Sequence, residues 1–144
     1  MTTYSAATEK NLDRALLILR LVLAAIFIVH GYQKVFGMGI SGVTGMFTQI
    51  GVPMPAVTAP LIAVIELLGG IALLFGAFTR VAAVLIACDM LGAILFVHGK
   101  NGFSAPKGVE NVLGNLAMLV VVALLGAGAY SIDAMLARHG STTP

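Results

Sequence analysis

Cysteine occurs once in this chain, at Cys88. A single thiol excludes an intrachain disulfide, a Cys-x-x-Cys redox pair and a cysteine-built zinc cluster. Charge is nearly as scarce: charged residues make up 10% of the 144 positions, against roughly 25% in a soluble domain. The net excess of +2 is spread thinly, so there is no basic patch for a nucleic acid. No dinucleotide fingerprint and no haem attachment sequence is present. The seven methionines form no Met-x-x-Met or Met-His cluster that would hold copper, and no metal is expected. Cys88, inside an apolar run, is expected as a small buried hydrophobe.

What fills the chain is apolar surface. Hydrophobic residues make up 59% of it and its mean hydropathy is +1.02. A short chain cannot hide that much apolar area in its own core, so lipid must be the solvent for much of it. A spanning helix needs about 20 mostly apolar residues, and windows at about 12–34, 60–78, 80–98 and 110–129 qualify. The expected fold is therefore all-α, an integral membrane bundle of four transmembrane helices in a single domain over 1–144. Pro60 suits the first turn of the second helix. Residues 43–50 suit a short interfacial helix ended by the Gly51-Val52-Pro53-Met54-Pro55 turn. Residues 135–144 are expected as a flexible tail. Glu9 and Asp13 interrupt the cationic start, so the first apolar run reads as a retained helix rather than a cleaved signal peptide.

Ala-Ile-x-x-Val-His-Gly occurs twice, at 25–31 and 93–99, each time closing an apolar run. Two of the three histidines sit in this repeated context. The pattern suggests two parallel helical hairpin repeats with both histidines at one membrane face. Lysine and arginine set orientation. With the N-terminus inside, Lys10, Arg14, Arg20, Arg80 and Arg138 are inner, and Lys34, Lys100 and Lys107 outer. Both termini are then cytoplasmic.

Ionisable groups within spans are costly and are candidate functional sites. Helical rise places His30, Lys34, Glu66, His98, Glu110 and Asn115 near the outer side. Asn111 and Asn115, four apart, share a helix face. Together these seven residues form a candidate polar pocket, able to bind a polar head group or relay a proton. The competing interpretation is structural: buried ion pairs and amide bonds clamp helices in lipid, boundary histidines cap carbonyls, and lysines snorkel. Arg20 and Asp89 differ in depth by about one and a half turns, which an extended arginine can bridge, so they are expected as a structural ion pair.

Arg20, then His30-Gly31-Tyr32-Gln33-Lys34-Val35-Phe36-Gly37, resembles the opening helix of the DoxX family of small bacterial membrane proteins. So do Gly51-Val52-Pro53-Met54-Pro55, Glu66-Leu67-Leu68-Gly69-Gly70 and Phe78-Thr79-Arg80. Val97-His98-Gly99 with Asn101-Gly102-Phe103, Glu110-Asn111, and the run from Gly126 to Asp133 complete the resemblance over most of the chain. The resemblance implies a bacterial inner-membrane protein of a family often labelled as oxidoreductases and related to a thiosulfate:quinone oxidoreductase subunit. It marks Arg20, His30, Lys34, Glu66, His98 and Glu110, while Asp89 lies outside its motifs. No redox cofactor is encoded visibly. The expected role is therefore a quinone-interacting or partner-anchoring component of a redox or thiol-stress system, with quinone bound non-covalently. The expected partners are the lipid bilayer, a soluble or membrane redox protein, and a second copy of the chain. A non-enzymatic scaffold and a proton-coupled small-solute transporter are the alternatives.

Overall fold

The computed structural model describes residues 5–104 and 106–140. Among these the chain is helical, with no strand. Helix α1 runs Ala6–Tyr32 and buries Leu16, Arg20, Leu23, Ala24, Phe27 and Gly31, the three-and-four spacing of one helix face. Its end widens into a π-helical turn, Gln33–Gly37, closed by Met38 N–H donating to the Gln33 carbonyl at 2.8 Å. Helix α2, Gly39–Ile50, starts earlier than the 43–50 expected. It seats Val43 and Phe47 on Ala59.

Helix α3, Pro55–Phe75, begins five residues before the expected start. Pro55, not Pro60, takes the first turn, where a missing N–H costs nothing. Thr58 secures that turn, its hydroxyl donating to the Met54 carbonyl at 3.1 Å. Pro60 lies inside the helix, where it removes one hydrogen bond. Helix α4, Thr79–Gly92, continues through a second π-helical turn at Ala93–His98 and a 3₁₀ turn at Gly99–Asn101. Helix α5, Glu110–Leu125, stops short of the expected 129. Gly126 adopts a φ of 87°, a conformation that suits glycine and ends the helix.

Residues 135–140 of the expected tail belong to a further helix, α6, Ile132–Gly140; residues 141–144 lie outside the described residues. Ser131 caps α6 by accepting the Ala134 N–H at 3.1 Å, a standard helix start. Asp133 then reaches across to the start of α4, accepting from the Phe78 N–H at 2.8 Å and the Thr79 N–H at 2.9 Å. This holds Phe78 at a φ of 49°, a left-handed conformation costing a non-glycine residue roughly 1–2 kcal/mol.

Helix α1 packs along α3, α3 along α4, and α4 along α5, while α2 lies on α3. Glycines set the α1–α3 distance. A Cβ on Gly31 would lie 2.7 Å from the Leu67 Cα, and one on Gly70 would lie 2.8 Å from the Ile28 nitrogen. Residue 31 thus meets 67 and 28 meets 70, so the two helices run antiparallel with backbones nearly touching. Leu23, Phe27, Leu73, Ile86, Leu119 and Val122 fill the centre. Large apolar side chains also point outward, including Ile18, Leu68, Leu95 and Leu124 at 59–70% exposure. Such a surface is unsuited to water. Pro55–Phe75 and Thr79–Asn101 are each long and apolar enough to cross a membrane.

Gly31→Ala is expected to cost about 2 kcal/mol by overpacking. Gly114→Ala, whose added methyl meets nothing within 4 Å, is expected to gain about 0.5 kcal/mol. Thermal unfolding in detergent reads both. Burial alone would raise the Asp133 carboxyl, but the Thr79 and Phe78 N–H groups and the Arg20 charge outweigh it and hold the group below its ordinary 3.8. A lowered pKa stabilises the fold above the unfolded value, and the contribution is lost as pH falls through the lowered one. Amide exchange at Phe78 and Thr79 should therefore lose protection below about pH 4, and Asp133→Asn should abolish that transition.

Candidate functional site

Helices α1, α2, α3 and α4 enclose a largely apolar cavity of about 550 Å³. Phe27, Phe47, Ile62, Ile65, Met90 and Phe96 supply apolar wall. Into this wall the helices set the polar side chains of His30, Lys34, Thr58, Glu66, Asp89, His98 and Asn115. A few polar groups in an apolar pocket of 300–1,000 Å³ is the usual make-up of a small-molecule site.

Glu66 is 3% exposed and forms an ion pair with Lys34, itself 15% exposed. Lys34 lies in the π-helical turn that ends α1. One extra residue in a turn rotates the later side chains by roughly 100° about the helix axis. Asp89, on α4, borders the same cavity, near enough to Glu66 and Lys34 for their charges to act on it. His30 borders the cavity from α1. His98 borders it from the second π-helical turn, and its Nδ1 lies 2.7 Å from the Lys107 carbonyl. Asn101 donates to that carbonyl as well, at 3.1 Å, so His98 also pins the loop before α5. Among the described residues, no three His, Cys, Asp or Glu side chains are grouped to hold a metal ion.

The structure thus brings together five of the seven expected pocket residues. Glu110 and Asn111 are corrected: both are exposed and neither lines the cavity. They occupy the first turn of α5, one turn away from Asn115, so a shared helix face does not bring both to the same depth. The expected Arg20–Asp89 ion pair is likewise corrected. Arg20 is 1% exposed and turns to backbone carbonyls at the other end of the bundle. Its Nε donates to Leu73 O at 3.0 Å, and its two terminal nitrogens to Leu74 O at 3.4 Å, Tyr130 O at 3.0 Å and Ala127 O. These carbonyls belong to the last turn of α3, where Leu73 O also accepts the Gly76 N–H at 3.3 Å, and to the loop after α5; a negative helix terminus suits a cation. Asp89 is therefore a pocket residue that its sequence setting did not reveal. An acid in an apolar run carries no signal of which way it faces. Cys88, expected buried, is exposed and borders the same cavity.

The DoxX family model matches residues 15–99. The chain is 36% identical to the protein named "Putative oxidoreductase CatD" of Bacillus subtilis (strain 168), over 87% of this chain and 89% of that one. It is 32% identical to Inner membrane protein YphA of Escherichia coli (strain K12), over 82% and 87% of the two chains. To Inner membrane protein YqjF of the same organism it is 33% identical, over 89% and 96%. No solved structure matches the chain.

With four carbonyls on one guanidinium, Arg20→Ala is expected to cost about 3 kcal/mol and Arg20→Lys rather less, since hydrogen bonds to charged groups are worth roughly 1.5–3 kcal/mol each. A double-mutant cycle of Arg20→Lys with Asp89→Asn should show a coupling below about 0.5 kcal/mol. Chemical denaturation measures both, and a coupling above about 1.5 kcal/mol would restore the ion pair.

Proposed function

The chain belongs to the DoxX family, and from that membership and the cavity we propose that it is a four-helix inner-membrane protein that binds a quinone head group. In this reading α1, α3, α4 with its extension, and α5 cross the bilayer, α2 lies at the interface, and both termini are cytoplasmic. The lysine and arginine balance supports that orientation. The cavity then opens towards the outer side. The protein serves a redox or thiol-stress system, and a soluble or membrane partner supplies the electrons, because cofactors carry such chemistry and none is encoded visibly here. The name carried by the Bacillus subtilis relative is in keeping with a redox role.

The observation that carries the proposal is the polar set Lys34–Glu66–Asp89 in a largely apolar cavity of about 550 Å³. A quinone is a flat apolar ring with two carbonyl acceptors and an isoprenoid tail. The aromatic and branched walls accept the ring. Lys34 and His30 carry donors for its carbonyls, and the outward apolar surface of the bundle lets the tail run into lipid. Proton-coupled transport of a small solute is the second reading, favoured by two carboxyl groups in one cavity. It requires proton-driven flux in liposomes that Glu66→Gln removes.

Mass spectrometry of the gently purified protein should find co-purifying quinone. Retention should fall about tenfold or more in Glu66→Gln and in His30→Ala, the loss of roughly one charge-assisted hydrogen bond. Wild-type protein free of quinone, or retention unchanged in both variants, would overturn the assignment.

A further inference from the structure

Two carboxyl groups and one ammonium share the wall of this cavity. Glu66 is taken by Lys34, which leaves Asp89 with no cation of its own. Asp89 Oδ2 is shut off from the surface and meets no hydrogen-bond donor among the described residues. Asp89 and Glu66 share the wall of this cavity, near enough for their side chains to interact. Two ionised carboxylates are acceptors only and cannot bond to each other. A buried Asp89 oxygen without a donor, in a cavity whose ammonium is already paired with Glu66, calls for a proton.

The charge count agrees. With both acids ionised, the set Glu66–Asp89–Lys34 carries one net negative charge in an apolar pocket, where an unpaired ion costs several kcal/mol. One proton makes the set neutral and supplies the missing hydrogen bond at the same time. Among the described residues no other cation relieves it. From α1 the facing group is His30, which is exposed, and from the turn after α1 it is Lys34. From α4 it is Cys88, and from the turn after α4 it is His98, beside the Lys107 carbonyl; α5 contributes only the uncharged Asn115. Arg20, the nearest buried guanidinium in the sequence, is held elsewhere by backbone carbonyls.

We propose that Asp89 and Glu66 hold a single proton between them at neutral pH, making the cavity a proton-binding site as well as a pocket. The site presents an O–H donor to any hydrogen-bond-accepting head group and offers a proton that need not be drawn from the bulk. Above the pH at which the proton leaves, the same wall carries a net negative charge and repels such a group. This assignment concerns the protein alone and stands apart from what ligand it takes.

Infrared spectroscopy of the full chain in an ester-free detergent tests it, through the carboxylic acid C=O stretch and its shift in D2O. The chain has six acidic side chains. Glu9 and Glu110 are exposed, and Asp13 and Asp133 accept backbone N–H groups as carboxylates. At pH 7 the wild type should therefore show the band of one carboxyl per chain. Asp89→Asn and Glu66→Gln should each abolish it, because the remaining acid then pairs with Lys34. His30→Ala should leave it unchanged. Lys34→Met should roughly double it, since removing the cation forces a second proton onto the pair. A wild type without the band overturns the proposal whatever the variants do, as does a band that survives in both Asp89→Asn and Glu66→Gln. Quinone retained by a wild type lacking the band would remove this inference and leave the quinone assignment standing.

Discussion

A guanidinium cannot shed its proton, so an arginine placed in an apolar bundle must be surrounded by acceptors or the bundle does not form. Arg20 meets that demand with backbone carbonyls. It donates to carbonyls at the C-terminal end of α3 and in the loop after α5. One side chain thereby ties the first helix to the end of the third and to the segment following the fifth. Asp133 completes this end of the molecule by holding the start of α4. Four chain segments converge on two charged residues, and neither residue takes part in the cavity.

That separation gives the molecule two unlike ends. Around Arg20 the buried guanidinium is matched by backbone carbonyls. Around Glu66 the apolar walls part, and the polar groups are fewer than their charges require. The close backbone contact at Gly31 and Gly70 fixes the distance between α1 and α3, two of the helices that wall the cavity. The two π-helical turns, Gln33–Gly37 and Ala93–His98, border the cavity. Each shifts the phase of its helix where a side chain must be re-aimed, as such turns do at functional sites.

Much of this was legible in the residue pattern, and the failures have physical causes. Apolar runs locate α3, α4 and α5 because burial in lipid leaves little other choice of residue. Glu66, His30, Lys34 and His98 stand out as polar atoms in such runs, and all four line the cavity. Arg20 and Asp89 misled because distance along a helix says nothing of direction around it, and because backbone carbonyls, the true partners of Arg20, have no sequence signature. Pro60 and Pro55 are indistinguishable as helix starts until the Thr58 hydroxyl bond is seen. Asn111 shares a face with Asn115, yet the cavity ends before it. The helix over 132–140 depends on Ser131 capping and on Asp133 finding α4, a contact 55 residues away in sequence.

The Arg20 cage also has a timetable. Its carbonyl partners at Ala127 and Tyr130 lie 107 and 110 residues downstream. At synthesis rates of roughly 5–20 residues per second, they emerge about 5–22 s after the arginine itself. Throughout that interval the guanidinium of the nascent first helix has only part of its final shell. It must be served meanwhile by water, lipid phosphate or the insertion machinery. Helix α1 therefore settles late, and the loop after α5 locks it in place.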